Sequence, residues 1–173
     1  MSDNEPLSAQ TEPMLQSTTE TVAQDLSRAR APGLLRRLAT MAYDLLLVFS
    51  VLVVAAALFY TLYSAAAGSE SITGPARLLF QAYLLAVIAG YYVYFWTGGR
   101  QTLGMRAWRT RLLRADGENL RAADALRRLL LAVLTLAPAG AGLLWVLLDR
   151  DGLAWYDRLS GTRPVLTLQK PKP

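Results

Sequence analysis

The sequence predicts an all-α membrane protein: two transmembrane helices, a third apolar segment that is either a full span or a re-entrant hairpin, and a short two-stranded cytoplasmic element. Three observations carry this expectation. Charged residues make up only 18% of the chain, against the roughly 25% usual in soluble domains. They are absent from three long stretches, residues 45–62, 78–96 and 129–148. The basic residues flank those stretches, as membrane topology requires.

The elements follow in chain order. Residues 1–27 carry Asp3, Glu5, Glu12, Glu20 and Asp25 with Pro6 and Pro13, and no apolar periodicity; they read as a disordered tail. The start is acidic and no apolar core follows it closely, so this is not a signal peptide. The membrane domain covers residues 28–168, and 169–173 form a flexible C-terminal tail. Leu45 to Leu62 would extend about 27 Å as a helix, close to the ~30 Å hydrocarbon core. With Ala42, Tyr43 and Tyr63 it forms the first membrane helix. Residues 64–77, with Gly68, Gly74 and Pro75, form a short loop. Leu78 to Trp96 forms the second helix, with Tyr91, Tyr92, Tyr94 and Trp96 expected as an interfacial aromatic belt.

Residues 97–128 are strongly basic. Arg109 to Arg114 is expected as a short strand, and Asp116-Gly117 as a tight turn, since Asp-Gly suits positive φ. Asp124, Arg127 and Arg128 lie on an amphipathic helix that leads into Leu129 to Leu148. That third run holds Pro138, Gly140 and Gly142 at its centre, and a proline there breaks or kinks a helix. Trp108, Trp145 and Trp155 are expected as interface anchors.

Charge sets the topology. Lys and Arg number four before the first helix, one in 64–77, eight in 97–128 and five in the tail. The positive-inside bias puts the N-terminus and 97–128 in the cytoplasm and 64–77 outside. For the third run, charge favours a hairpin that keeps the tail cytoplasmic, whereas apolar length favours a span.

The chain has no cysteine and no histidine. This excludes disulfides, thiolate metal sites and histidine-based triads, so no enzyme, no cofactor and no metal site is expected. The basic pI is explained by topology rather than by nucleic-acid binding. The residue with most to explain is Asp44, in the first turns of an uncharged helix; a carboxylate at the bilayer centre costs roughly 2.5–3.5 kcal/mol. It is either a wet interfacial carboxylate or the buried partner of an arginine. Arg37 lies seven residues earlier, on the same helix face and about 10 Å away along the axis. Gln101 and Thr102 either cap a helix or line a polar site.

Arg36-Arg37-Leu38-Ala39 followed by Tyr43-Asp44 resembles the opening of the RDD family of bacterial membrane proteins. Gly99-Arg100-Gln101-Thr102-Leu103-Gly104-Met105-Arg106, Asp116-Gly117, and Tyr156-Asp157-Arg158-Leu159-Ser160-Gly161-Thr162-Arg163 are similar to its later motifs, in the same order, over about residues 33–166. Tyr156 stands where histidine is common and Met105 where lysine is common. The resemblance implies that the family's arginine and two aspartates are Arg37 (or Arg36), Asp44 and Asp157. It implies a functional charged cluster of Arg37, Asp44 and Asp157, with Arg36, Gln101, Thr102, Gly104, Arg158 and Gly161 in support. It further implies a multi-pass protein of the bacterial cytoplasmic membrane, and transport of a cation, proton or small solute.

Two functions are therefore expected. One is a small transporter using Asp44 and Asp157, which two or three spans could build only as an oligomer. The other is a non-transporting module that binds a partner protein or anionic lipid through loop 97–128. The partners are the bilayer and either a second copy or another membrane protein. The geometric form of the cluster is two carboxylates around one guanidinium at the inner interface, with Arg163 to Leu168 pairing with Arg109 to Arg114 to pin Asp157 against the first helix.

Overall fold

The structure is a computed structural model that describes residues 31–68, 71–138 and 140–167. The two expected tails, 1–27 and 169–173, lie outside the described residues. The first helix, α1, runs Leu34–Ala67 over 34 residues, about 51 Å at 1.5 Å per residue. It starts eight residues before the expected Ala42, so its first turns extend beyond a ~30 Å hydrocarbon core. Its buried residues, Arg37, Thr40, Asp44, Val48 and Ala55, recur at three- and four-residue steps (seven at the last). They form one stripe, polar at the N-terminal end and apolar beyond it. Gly68 ends the helix with φ 61°.

Pro75 opens α2, Pro75–Trp96, where its missing N–H costs nothing. At the loop end the Phe59 ring meets Phe80 and Tyr83, with centroids 5.0 and 5.5 Å apart. Trp96 is the buried residue of α2, and the helix is long enough to cross a membrane, as is α1. The aromatic belt is corrected in part. Tyr94 faces outward, but Trp96 is buried and Tyr92 half-buried against it. Both turn inward because the basic end of the molecule packs over them.

A short helix α3, Leu103–Ala107, follows. Then comes β1, Thr110–Arg114, paired antiparallel with β2, Thr162–Leu166, with Leu112 opposite Pro164. The expected two-stranded element is present, its second strand starting one residue earlier than expected. The Asp116-Gly117 turn closes with Gly117 N–H donating to the Arg114 carbonyl at 3.0 Å.

The third apolar run is not a separate helix. The amphipathic segment and the first half of the run are one helix, α4, Ala122–Leu136. It is followed by α5, Ala141–Leu144, and a 3-10 turn, Trp145–Leu147, bent 103° from α4. The break falls at the expected Pro138–Gly140. Gly142 lets the two arms close, since a Cβ there would come within 2.8 Å of the Thr135 carbonyl. The chain then returns to the end it left, because α6, Trp155–Ser160, packs on α4 and leads into β2. The run is a helix pair bent sharply at this break, in place of one straight helix.

Two small cores flank α4. One holds Trp96, Met105, Leu112, Leu120 and Ala125; the other holds Leu143, Val146, Ala154 and Tyr156. Together they bring the N-terminal end of α1, the C-terminal end of α2, the sheet and α6 to one end of the molecule.

Candidate functional site

The buried charge gathers at that end. Asp157 is wholly buried and is the third residue of α6, where its carboxylate accepts the Ala154 N–H at 3.0 Å. An acid in a first helical turn satisfies orphan amides. Its Oδ2 also accepts Arg37 Nη1 at 2.5 Å, and its Oδ1 pairs with Arg128 Nη2 at 2.7 Å. Arg37 spends its remaining donors on backbone: Nε on the Pro32 carbonyl at 3.0 Å and Nη2 on the Gly152 carbonyl at 2.7 Å. Arg128 Nη1 donates to Thr162 Oγ1, which is in turn 2.7 Å from Ser160 Oγ. The guanidinium of Arg128 lies over the Trp96 and Tyr156 rings, at 5.3 and 5.0 Å from their centroids, within cation–π range.

The expected cluster is thus corrected. Its charge ratio is inverted: two guanidiniums surround one carboxylate, because α4 contributes Arg128. Asp44 is not a member. Its Oδ2 accepts Thr102 Oγ1 at 2.7 Å and its Oδ1 accepts the Gly104 N–H at 3.0 Å. Thr102 is also the N-cap of α3, accepting the Met105 N–H at 3.1 Å. The two alternatives for Thr102, cap and polar contact, are therefore one arrangement. Asp44 is the anion at the start of a helix, and α3 is fastened to α1 through it.

Gly104 has a steric reason. A Cβ there would collide with the Thr40 carbonyl and come within 2.7 Å of Asp44 Oδ1. Gln101 Nε2 donates to the Thr110 carbonyl at 2.7 Å, tying the segment before α3 to β1. Gly161 caps α6 at φ 65°. Between the two candidate arginines, Arg37 is buried and Arg36 exposed, so the ion pair with Asp157 belongs to Arg37. Arg158 also stands apart: it is exposed and pairs with Asp149 and Asp151 at 2.6 and 2.8 Å.

The family model of the RDD family matches residues 31–161. The chain belongs to the RDD family. Neither a curated protein nor a solved structure matches it. In this RDD chain the matched region contains Arg37, Asp44, Arg128 and Asp157, and it ends at the Gly161 cap. Arg128 is the partner that sequence reasoning missed. Its signal is its place on α4: Ala125 and Arg128 are the buried residues of that helix, three apart, while neighbouring Arg127 is exposed. A cation on an inward stripe needs a partner.

Tyr156 contributes its ring face where the RDD pattern commonly has histidine. Burial and the Asp157 charge push its phenol above the ordinary range, so it stays neutral. For Asp149, burial alone would raise the pKa. The Leu153 N–H and Arg158 outweigh it and hold the carboxyl below its ordinary value.

Among the described residues no three carboxylates converge as metal ligands would. A cavity of about 560 Å³ does open between α1, α2 and α4, with Arg37, Asp44 and Arg128 among its lining residues.

Proposed function

We propose that this RDD-family chain is a non-catalytic membrane module that binds at the cytoplasmic face of a bacterial inner membrane and does not itself carry a solute across. One observation supports this above all. The buried charged groups of the described residues lie at one end, Arg37, Arg128 and Asp157 paired with one another and Asp44 held by Thr102 and Gly104, while residues 45–62 and 78–96 hold no charge. A pathway for a cation or proton needs polar partners along its length, and among the described residues one chain offers buried charged ones at a single level. The same end displays exposed Arg100, Arg106, Arg109, Arg121 and Arg127. Each arginine close to an anionic leaflet contributes about 1 kcal/mol of attraction. The exposed apolar faces of α1 and α2 are the surfaces offered to lipid and to a second copy or another membrane protein.

Flux is the first test. Purified protein in phosphatidylglycerol vesicles should pass sodium ions and protons no faster than protein-free vesicles do. A protein-dependent flux, abolished by Asp44→Asn, would establish transport by an oligomer and overturn the module reading.

Sidedness is the second test, and the absence of native cysteine makes it clean. Thr73→Cys should label with an impermeant thiol reagent in intact cells. Asp116→Cys and Arg150→Cys should both need a permeant one. The opposite pattern would place the arginine-rich end outside.

A further inference from the structure

The cavity between α1, α2 and α4 has a directional lining. Along α1 it passes from Arg37 to Leu45, along α2 from Trp96 back to Ile88, and along α4 from Arg128 to Leu136. Each path covers about eight residues, or about 12 Å. All three run from polar or amphipathic groups at the charged end to aliphatic groups toward the middle of the spans. Asp44 interrupts the sequence of α1, but its carboxylate is occupied by Thr102 and Gly104. The volume, about 560 Å³, is that of a small-molecule site.

The floor holds two unpaired donors. Among the cavity-lining residues, the buried side-chain polar atoms without a hydrogen-bond partner are Trp96 Nε1 and Arg128 Nε. Both are donors, and one is cationic. Asp157 is shared between the two guanidiniums that it joins. Buried donors left unpaired are costly, and a charged donor is matched best by an anionic oxygen. Water would meet the floor but not the aliphatic walls.

We propose that this cavity holds one anionic amphiphile, its headgroup oxygen at Trp96 and Arg128 and its alkyl chain between α1, α2 and α4. The site rests on the reading that the chain binds ligands at this end. It gives the RDD module a single-molecule lipid site, distinct from diffuse attraction to the leaflet surface. The carboxylate of a fatty acid and the phosphate of an anionic phospholipid share the required chemistry.

The test is native mass spectrometry of the full chain, delipidated in detergent and offered oleate, phosphatidylglycerol, phosphatidylcholine or inorganic phosphate. One oleate or one phosphatidylglycerol per chain should be retained, and whichever binds tighter identifies the source. Ala132→Phe, which fills the slot, and Trp96→Phe, which keeps the ring and removes the N–H, should each weaken retention roughly tenfold, about 1.4 kcal/mol. Leu85→Phe, on the exposed side of α2, should retain as the parent does. Unchanged retention in both slot variants overturns the site. So does equal retention of phosphatidylcholine, or full competition by inorganic phosphate, which would mark a bare anion site. The assay is independent of flux: a conducting protein would sink the module reading and leave single-lipid retention standing or falling by itself.

Discussion

Asp157→Asn is expected to cost about 3–5 kcal/mol, the cost of breaking a buried ion pair from one side. It is the most damaging single substitution foreseen for this protein. The reason is the number of groups that depend on one side chain. Asp157 takes the Arg37 and Arg128 guanidiniums and the amide of Ala154, the N-cap of α6, all of them buried. An amide in its place keeps the shape, loses the charge and turns an N–H₂ toward a cation. Since whole domains are stable by only about 5–15 kcal/mol, the yield of monodisperse protein and its Tm in detergent should both collapse.

Double-mutant cycles then locate the coupling. Asp157→Asn combined with Arg37→Gln, or with Arg128→Gln, should hurt less than the sum of the single changes, because contacting residues couple. Asp44→Asn combined with Arg37→Gln should simply add, because the Asp44 carboxylate is held by Thr102 and Gly104. Arg127→Gln, one residue from Arg128 but exposed, should leave Tm unchanged. Additive behaviour of Asp157 with both arginines, at normal expression, would rule out the shared-carboxylate lock.

Gly104→Ala is expected to destabilise, and the sign is what matters. In an ordinary helix the change from glycine to alanine is favourable by about 1 kcal/mol. Here the new Cβ meets the Thr40 carbonyl and the Asp44 carboxylate, and overpacking of that kind costs about 1–3 kcal/mol. It also pushes away the amide that Asp44 accepts. Gly90→Ala in α2, with nothing within 4 Å, is the control and should be neutral or stabilising. Asp44→Ala should not rescue Gly104→Ala, because the backbone carbonyl of Thr40 remains in the way. A raised Tm for Gly104→Ala would show that α3 does not pack on α1 as described.

What could be read without coordinates were the features that depend on sequence-local physics. Charge-free stretches long enough to cross hydrocarbon set α1 and α2. Proline and glycine at 138–142 marked the bend, because they break helices wherever they fall. Helical periodicity put Arg37 and Asp44 on one stripe, and both are buried. The expected pairing of Arg109 to Arg114 with Arg163 to Leu168 is present as β1 with β2.

Which buried charge meets which is a different matter, because it depends on where distant helices cross. Arg37 and Asp157 are 120 residues apart, and Thr102 and Asp44 are 58 apart. Periodicity along α1 shows that two charges share a face, but not what packs against each level of it. One turn of the stripe meets α6 and the other meets α3, so its two charges take different partners. Arg128 was counted with seven other cations of residues 97–128 and set on an amphipathic helix, with no partner assigned. It became the second cation on Asp157 only when α4 presented it to α6 between two aromatic rings. The sequence by itself determined that this chain has membrane-spanning helices, where it turns and that Arg37 and Asp44 share one helix face. The tertiary structure alone decided how those charges are paired, since a buried ion survives only beside the partner that packing brings to it.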